Sequence, residues 1–307
     1  MDRLHLMTVF IAVAEEEGFA AGARRMNMSP PAVTRAISAL EQRLGVKLLQ
    51  RTTRHVRVTE AGQRYLDDAR RIVAEVDEAD EAAAGINATP RGHLAVTAPV
   101  LFGKLHVMPG IVDFLQRYPD MEVAALFLDR VVNLLEEGMD VAIRIGPLSD
   151  SAMKAIKVGE VRRVLCAAPD YLRHHGEPAD PAALRQHTII AASHVSPGVE
   201  WKFAGQSEPL GIRLKPRLTV TSNDAAIEAA RCGLGITQLL SYQITPELSN
   251  GTLRIVLPAY EPEPLPVHIV HRESKYGSVK VRSFIDLMAD HLRASLVLNL
   301  KPPHQGM

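Results

Sequence analysis

Within GFAAGARRMNMSPPAVTRAISALEQRL, residues 18–44, the side chains of Pro31, Thr34, Arg35 and Ser38 recur at helical spacing on one polar face. Such groups can read base edges. Arg35 can hold guanine O6 and N7 in a fork, Thr34 can meet a thymine methyl, and Ser38 can donate or accept. Ser29 precedes this face, and Arg51, Arg54, His55 and Arg57 follow it; these suit phosphate oxygens, which fix a protein on a duplex without reading sequence.

The charge balance of the whole chain, 35 Lys and Arg against 35 Asp and Glu, hides this concentration. From Arg24 to Arg57 the basic residues are Arg24, Arg25, Arg35, Arg43, Lys47, Arg51, Arg54 and Arg57, and Glu41 is the only acid. Glu75, Asp77, Glu78, Asp80 and Glu81 then form an acidic block. Charge polarised in this way suggests one surface built for an anionic partner and another kept away from it.

Three short helices and a ribbon must position these groups. Spacing predicts helices over Leu4–Glu17 and Phe19–Met26, ended at Gly18 and Asn27, and a third opening at Ser29. Ser29 is expected to accept a hydrogen bond from the first-turn N–H groups. Pro30 takes the first helical position, where no N–H is missed, and Met28 can staple onto Val33. Val33, Ile37, Leu40 and Leu44 give the buried stripe, and Gly45 ends the helix. The run Arg51–Val58 alternates as a hairpin would, a candidate wing. From Thr59 a long helix carries Gly62, Tyr65, Ala69, Ile72, Val76, Ala79, Ala83 and Ile86 at alternating steps of three and four. A line this narrow favours dimerisation through Tyr65, Ala69, Ile72, Val76, Ala79 and Ala83 over packing on the helix's own domain.

After a short polar linker over 87–92 the pattern changes. Strand-like runs at His93–Thr97, Met121–Leu128, Val141–Ile145, Arg163–Ala167, Arg217–Val220, Ile236–Leu240 and Val267–His271 alternate with helical runs. The helical runs are Gly110–Tyr118, Val131–Glu137, Asp170–His175, Asp224–Cys232, Tyr242–Leu248 and Lys280–Leu292. This is an α/β pattern of open, largely parallel sheets, which bind ligands beyond the C-terminal ends of their strands.

The segment GFAAGARRMNMSPPAVTRAISALEQRLGVKLLQRTTRHVRVTEAG resembles the LysR-type transcriptional regulators, above all in Ser29–Arg35, Leu40-Glu41, Leu44-Gly45, Leu48-Leu49, Arg51-Thr52 and Thr59–Gly62. LAVTAPVLFG, LLEEGMDVAIRIG and TSNDAAIEAARCGLGI extend the resemblance over essentially the whole chain. The resemblance implies a winged helix-turn-helix domain at 1–58, a dimerising linker helix and hinge at 59–90, and a two-lobed effector-binding domain at 91–300. The last is similar to type 2 periplasmic binding proteins, with lobe I at about 91–161 and 268–300 and lobe II at about 162–267. Double-stranded DNA, a small-molecule effector, further copies of the chain in a homodimer or homotetramer, and RNA polymerase are the partners it implies; no cofactor is expected. Three positions depart from the family pattern. Gly18 stands at the cap where a serine is common, Gly22 replaces an alanine and should weaken its helix by about 1 kcal/mol, and Pro99 replaces a ligand-facing hydroxyl.

The effector pocket is expected between the lobes. Its candidates are Thr97, Pro99, Val100 and Phe102 after the first strand, Asp129 and Arg130 after the second, and Arg144 at the third. Ser196, Thr221, Ser222 and Asn223 face them. Arg130, Arg144 and a helix N-terminus near Asn223 favour an organic anion.

Other classes fare worse. Gly233-Leu234-Gly235 is too short for a dinucleotide fingerprint, no nucleophile elbow or HExxH run occurs, and His174-His175 reads as solvated. Cys166 and Cys232 form no CxxC and read as buried structural thiols. Leu6–Ala14 is broken by Thr8 and followed by three glutamates, so it reads as a helix and not as an export signal. No run reaches the roughly 20 apolar residues of a membrane span, and a reducing cytoplasm is the expected home.

Overall fold

A computed structural model describes residues 2–51, 56–84, 89–148, 153–192, 198–205, 210–272 and 278–295. The chain divides into two units at the Thr89–Pro90 junction.

In the first unit α1 (Arg3–Glu15), α2 (Phe19–Arg25) and α3 (Pro30–Leu44) are followed by β1 (Leu49–Arg51), β2 (Val56–Val58) and α4 (Glu60–Ala84). β1 and β2 pair antiparallel, with Gln50 opposite Arg57. Leu6, Val9, Phe10 and Val13 of α1 meet Val33, Ile37 and Leu40 of α3 in one core, closed by Leu48, Leu49 and Leu66. Turns are set by local chemistry: Asn27 and Gly45 take left-handed conformations at φ 50 and 70. Gly22 was expected to be only a weakness in α2. Here it is a contact, since a Cβ at this position would lie 2.8 Å from Val13 Cγ2 and 2.9 Å from Val13 Cα, so the missing methyl lets α1 and α2 cross closely. Gly62 does the same for α4, where an added Cβ would lie 2.1 Å from the Leu48 carbonyl oxygen.

The second unit runs β3 (Gly92–Ala98), α5 (Val100–Phe102), a π-helical turn (Gly103–Val107), α6 (Met108–Arg117), β4 (Met121–Phe127), β5 (Val141–Ile145) and β6 (Met153–Val161). It continues through β7 (Arg163–Ala167), α7 (Pro169–His175), β8 (Ile189–Ala192), β9 (Val199–Phe203), β10 (Leu210–Leu214), β11 (Leu218–Val220) and α8 (Asn223–Arg231). β12 (Ile236–Leu240), α9 (Thr245–Ser249), β13 (Arg254–Val256), β14 (Leu265–Arg272) and α10 (Val279–Ala294) complete it. Lobe I has the strand order β4-β3-β5-β14-β6 and lobe II the order β11-β8-β12-β7-β13, with β9 and β10 as a separate hairpin. The sheets are mixed, not largely parallel. β3 pairs parallel with β4 and β5, but β14 returns from lobe II and so lies antiparallel to both β5 and β6.

Two helical expectations shift. The helix expected from Gly110 starts at Val100, where Pro99 takes the N-cap position, and runs through the π turn into α6, with Pro109 in its first turn. Val131–Glu137 forms turns and no helix. There Asn133 Oδ1 accepts from Leu135 N at 3.1 Å, and Glu137 Oε1 accepts from Asn133 N at 3.1 Å, so side chains take the N–H groups that a helix would use.

Candidate functional site

The first unit presents α3 with its buried stripe inward. Val33 and Leu40 are fully buried and Ile37 nearly so, while Pro31, Arg35 and Ser38 are exposed and Thr34 is half-exposed. Ser29 has the extended backbone of an N-cap, yet its hydroxyl makes no cap hydrogen bond. Pro30 and Pro31 remove the first two N–H groups, and those of Ala32 and Val33 go to the Ser29 carbonyl at 2.9 and 3.1 Å. The cap role expected of that hydroxyl is therefore corrected.

Not every basic residue of the run faces outward unopposed. Arg25 Nη1 lies 2.7 Å from Glu15, and Arg70 holds the same carboxylate at 2.7 Å, which ties α1, α2 and α4 together. Burial alone would raise the Glu15 pKa, but the two guanidinium groups outweigh it and hold the carboxyl below its ordinary value. Glu41 behaves alike. Burial opposes its charge, yet Lys47 Nζ at 2.5 Å and the N–H groups of Leu49 and Leu48 at 3.2 and 3.0 Å hold it ionised. Its carboxylate thereby fixes where the wing strand β1 starts. Among the described residues Arg24, Arg35, Arg43 and Arg57 form no ion pair; all four are exposed. Arg54 and His55 lie outside the described residues, as does the side chain of Arg51.

The proposed dimer seam needs correction at its start. Ala69 is fully buried and Tyr65 packs on Phe10 with ring centroids 5.7 Å apart, so both belong to the core of their own unit, as Gly62 does. Ile72 and Val76 are half-exposed and Ala79 is exposed. The Ala83 side chain and Ile86 lie outside the described residues.

In the second unit the candidate effector residues separate. Val100, Asp129 and Asn223 come together: Val100 N donates to Asp129 Oδ1 at 3.0 Å, and Asn223 Nδ2 donates to Asp129 Oδ2 at 3.4 Å, lobe II to lobe I. Pro99 caps α5 beside them, and the Ser222 hydroxyl caps α8 by accepting from Ala225 N. Thr221 is exposed. Arg144 is half-buried and donates through Nη2 to the Val132 carbonyl at 2.6 Å. The other candidates are already paired or buried. Arg130 is held by both oxygens of Glu137, at 2.7 and 2.5 Å; Thr97 is buried in β3 and Phe102 is fully buried. Ser196 lies outside the described residues.

Phe102 instead joins a contact that residue spacing did not reveal. Its ring meets Tyr242 of lobe II edge-on at 5.1 Å, and His106 meets both rings at 5.0 and 5.5 Å. Burial lowers the His106 pKa, with His291 adding to it, and burial raises that of Tyr242. An aromatic cluster thus joins the two lobes near the polar Asp129–Asn223 contact. Cys166 is buried, its pKa pushed up to about 12 by burial and by Glu247, whereas Cys232 is exposed, contrary to expectation. The described residues contain no cluster of metal-binding side chains, and none of their helices is long and apolar enough to cross a membrane.

Two family models match this chain. Residues 4–63 match the bacterial regulatory helix-turn-helix protein, lysR family, and residues 87–293 match the LysR substrate binding domain. The chain is 33% identical over 294 residues to the HTH-type transcriptional activator AaeR of Escherichia coli, covering 95% of this chain and 94% of that one. Among solved structures, CrgA, a LysR-type transcriptional regulator from Neisseria meningitidis, is 28% identical with a TM-score of 0.60, covering 94% of this chain and 98% of that one. The full-length Vibrio cholerae virulence activator AphB is 26% identical with a TM-score of 0.59, covering 94% and 99%.

Proposed function

Since this chain belongs to the LysR family of bacterial helix-turn-helix transcriptional regulators, we propose that α3 enters the major groove of a pseudo-palindromic operator while the second unit takes up a small-molecule effector. In this reading residues 1–58 hold DNA, 59–90 join two copies, and 91–300 sense the effector. Homodimers or homotetramers form, and RNA polymerase is a further partner. The observation that carries the DNA assignment is the division of basic charge. Arg25 and Lys47 are neutralised by Glu15 and Glu41, whereas Arg35 stands exposed and unpaired on the face that bears Pro31, Thr34 and Ser38. The uncommitted Ser29 hydroxyl suits a phosphate beside the N-terminus of α3.

Arg35→Ala is expected to weaken binding to the specific operator by about 1–3 kcal/mol and to relax preference at one base position. Arg57→Ala, on the exposed side of the wing strand, should weaken all duplexes alike and lower the salt slope by about 1. Titrations of specific and random duplexes at several salt concentrations measure both. Equal losses on both duplexes for Arg35→Ala would remove it from base reading.

The effector reading rests on Asp129 and Asn223, which touch across the lobes near the aromatic cluster of Phe102 and Tyr242. A ligand entering there exchanges that contact for its own and so biases the lobe arrangement. An organic anion suits Arg144, because a guanidinium has five N–H donors and the Val132 carbonyl engages one nitrogen; Arg130 lends less, being paired with Glu137. In a thermal-shift screen of organic acids, an effector at 100 times its dissociation constant adds about 2.7 kcal/mol. Arg144→Ala should lose most of that shift, and a variant keeping all of it would sink the anion assignment.

A further inference from the structure

The C-terminal end of α1 gathers three other elements of the first unit. Glu15 Oε1 accepts from Nε and Nη2 of Arg70 on α4, at 2.9 and 2.7 Å, while its Oε2 accepts from Nη1 of Arg25 on α2 at 2.7 Å. Two residues on, Glu17 turns the chain with a left-handed backbone at φ 48, and its carbonyl accepts from Val56 N of the wing strand β2 at 3.1 Å. Helix physics alone disfavours a carboxylate here. The last turn of α1 holds no basic residue, and Glu15 sits at the negative end of the helix dipole. The two guanidinium groups, 10 and 55 residues away in sequence, supply the compensation.

The clamp sits where α4 leaves the core of its unit. Leu66 and Ala69 are buried, and from Arg70 to Ala84 no described side chain of α4 is buried. At 1.5 Å per residue the stretch from Arg70 to Ala84 is about 21 Å long. A tilt of about 10° at its root displaces its tip by roughly 4 Å, close to the 3.4 Å rise of one base pair. Whatever fixes that tilt therefore fixes, to about one base pair, where one reading head stands relative to another joined to it through α4. The arginine side chains are 46 and 47% exposed, so the clamp adds little stability. Its contribution is direction.

We infer that Glu15 is a positioning residue for DNA recognition: by holding Arg70 and Arg25 on one carboxylate it sets the angle at which α4 leaves the reading head, and with it the half-site spacing that the dimer accepts. The inference deepens, and rests on, the reading of residues 1–58 as the DNA-binding part and of α4 as the helix that joins two copies. Without the clamp each head keeps its core of Val33, Ile37 and Leu40 against α1, and so keeps its own half-site.

An operator is first selected from random duplexes by the full-length protein, and its two half-sites are then set one or two base pairs nearer or farther apart. Each base pair also turns a half-site by about 35°, which a clamped head follows poorly. The parent should lose at least about tenfold in affinity at one base pair from its optimum. Glu15→Gln and Arg70→Gln should melt, and bind a single half-site, as the parent does, while that spacing penalty shrinks at least about threefold. The two substitutions together should do no more than either alone, because both break the same pair. Arg64→Gln removes the same charge from α4 but breaks only the pair with Glu60 inside that helix, and should keep the parental profile. A parental profile in both clamp variants, additive effects in the double variant, equal flattening by Arg64→Gln, or a lowered melting temperature with the same proportionate loss at every spacing would each overturn the role of Glu15. So would a parent indifferent to spacing. If the parent selects no operator with two half-sites, the DNA reading falls with it; if it selects one and the variants leave the profile unmoved, only the role of Glu15 falls.

Discussion

Gly62→Ala is expected to unfold the N-terminal unit at temperatures where the rest of the chain remains folded. Helix propensity alone argues the reverse, since alanine inside a helix is better than glycine by about 1 kcal/mol. The contact decides. A methyl at Gly62 would lie 2.1 Å from the Leu48 carbonyl oxygen and crowd Val58 Cγ1 at 2.8 Å. The obstruction is backbone and cannot rotate aside. That same carbonyl also accepts from Thr59 N at 2.9 Å, so moving it breaks the junction between the wing and α4. Overpacking of this kind costs about 3 kcal/mol or more, a fall of roughly 12–24 °C for a unit of this size. Calorimetry of the full chain, with circular dichroism to follow the helices, measures it. A variant as stable as the parent would mean that α4 does not press on Leu48.

Val76→Glu should separate the copies of the chain. Tyr65 and Ala69 are occupied within their own unit, so the continuation of α4 at half-exposed Ile72 and Val76 and exposed Ala79 is what remains for a partner. A glutamate at a buried seam position is strongly unfavourable without a counter-charge. Sedimentation velocity should show a lighter species. Affinity for a two-half-site operator should fall by about 10²–10⁴, the advantage that linkage of two weak sites provides. A variant that sediments and binds as the parent does would assign the seam to another surface.

What the residues reveal unaided is mostly what local chemistry fixes. Pro30, the stripe Val33–Leu40 and the left-handed stops at Asn27 and Gly45 act within a turn or two, and the helix-turn-helix follows from them. Long-range packing leaves a fainter trace. The heptad line from Gly62 to Ala79 is continuous in spacing, but its first part serves the unit's own core and only its later part is exposed, a division that periodicity cannot express. Gly22 looks like a weakness until Val13 is seen against it. In the second unit, strand-end arithmetic brings Val100, Asp129 and Asn223 together, yet it takes no account of Glu137 reaching back to Arg130 or of Phe102 packing into an aromatic cluster with Tyr242. Strands β6, β8, β9, β10 and β13 escape notice because their segments are short or carry exposed charges on one face.

The place of β14 also governs the order in which the molecule can be made. This strand lies between β5 and β6 in lobe I, although it leaves the ribosome only after all of lobe II. The helices α1 to α4 and the wing strands are all made by the time α4 has emerged, and the lobe II sheet draws on a continuous stretch from Arg163 to Val256. Lobe I cannot close before Leu265–Arg272 is synthesised. Until then β5 and β6 each present a bare edge where β14 will pair, the kind of edge that recruits other chains. A nascent molecule is therefore equipped to grip nucleic acid before it can respond to a ligand, and its slowest folding step belongs to the lobe that begins first.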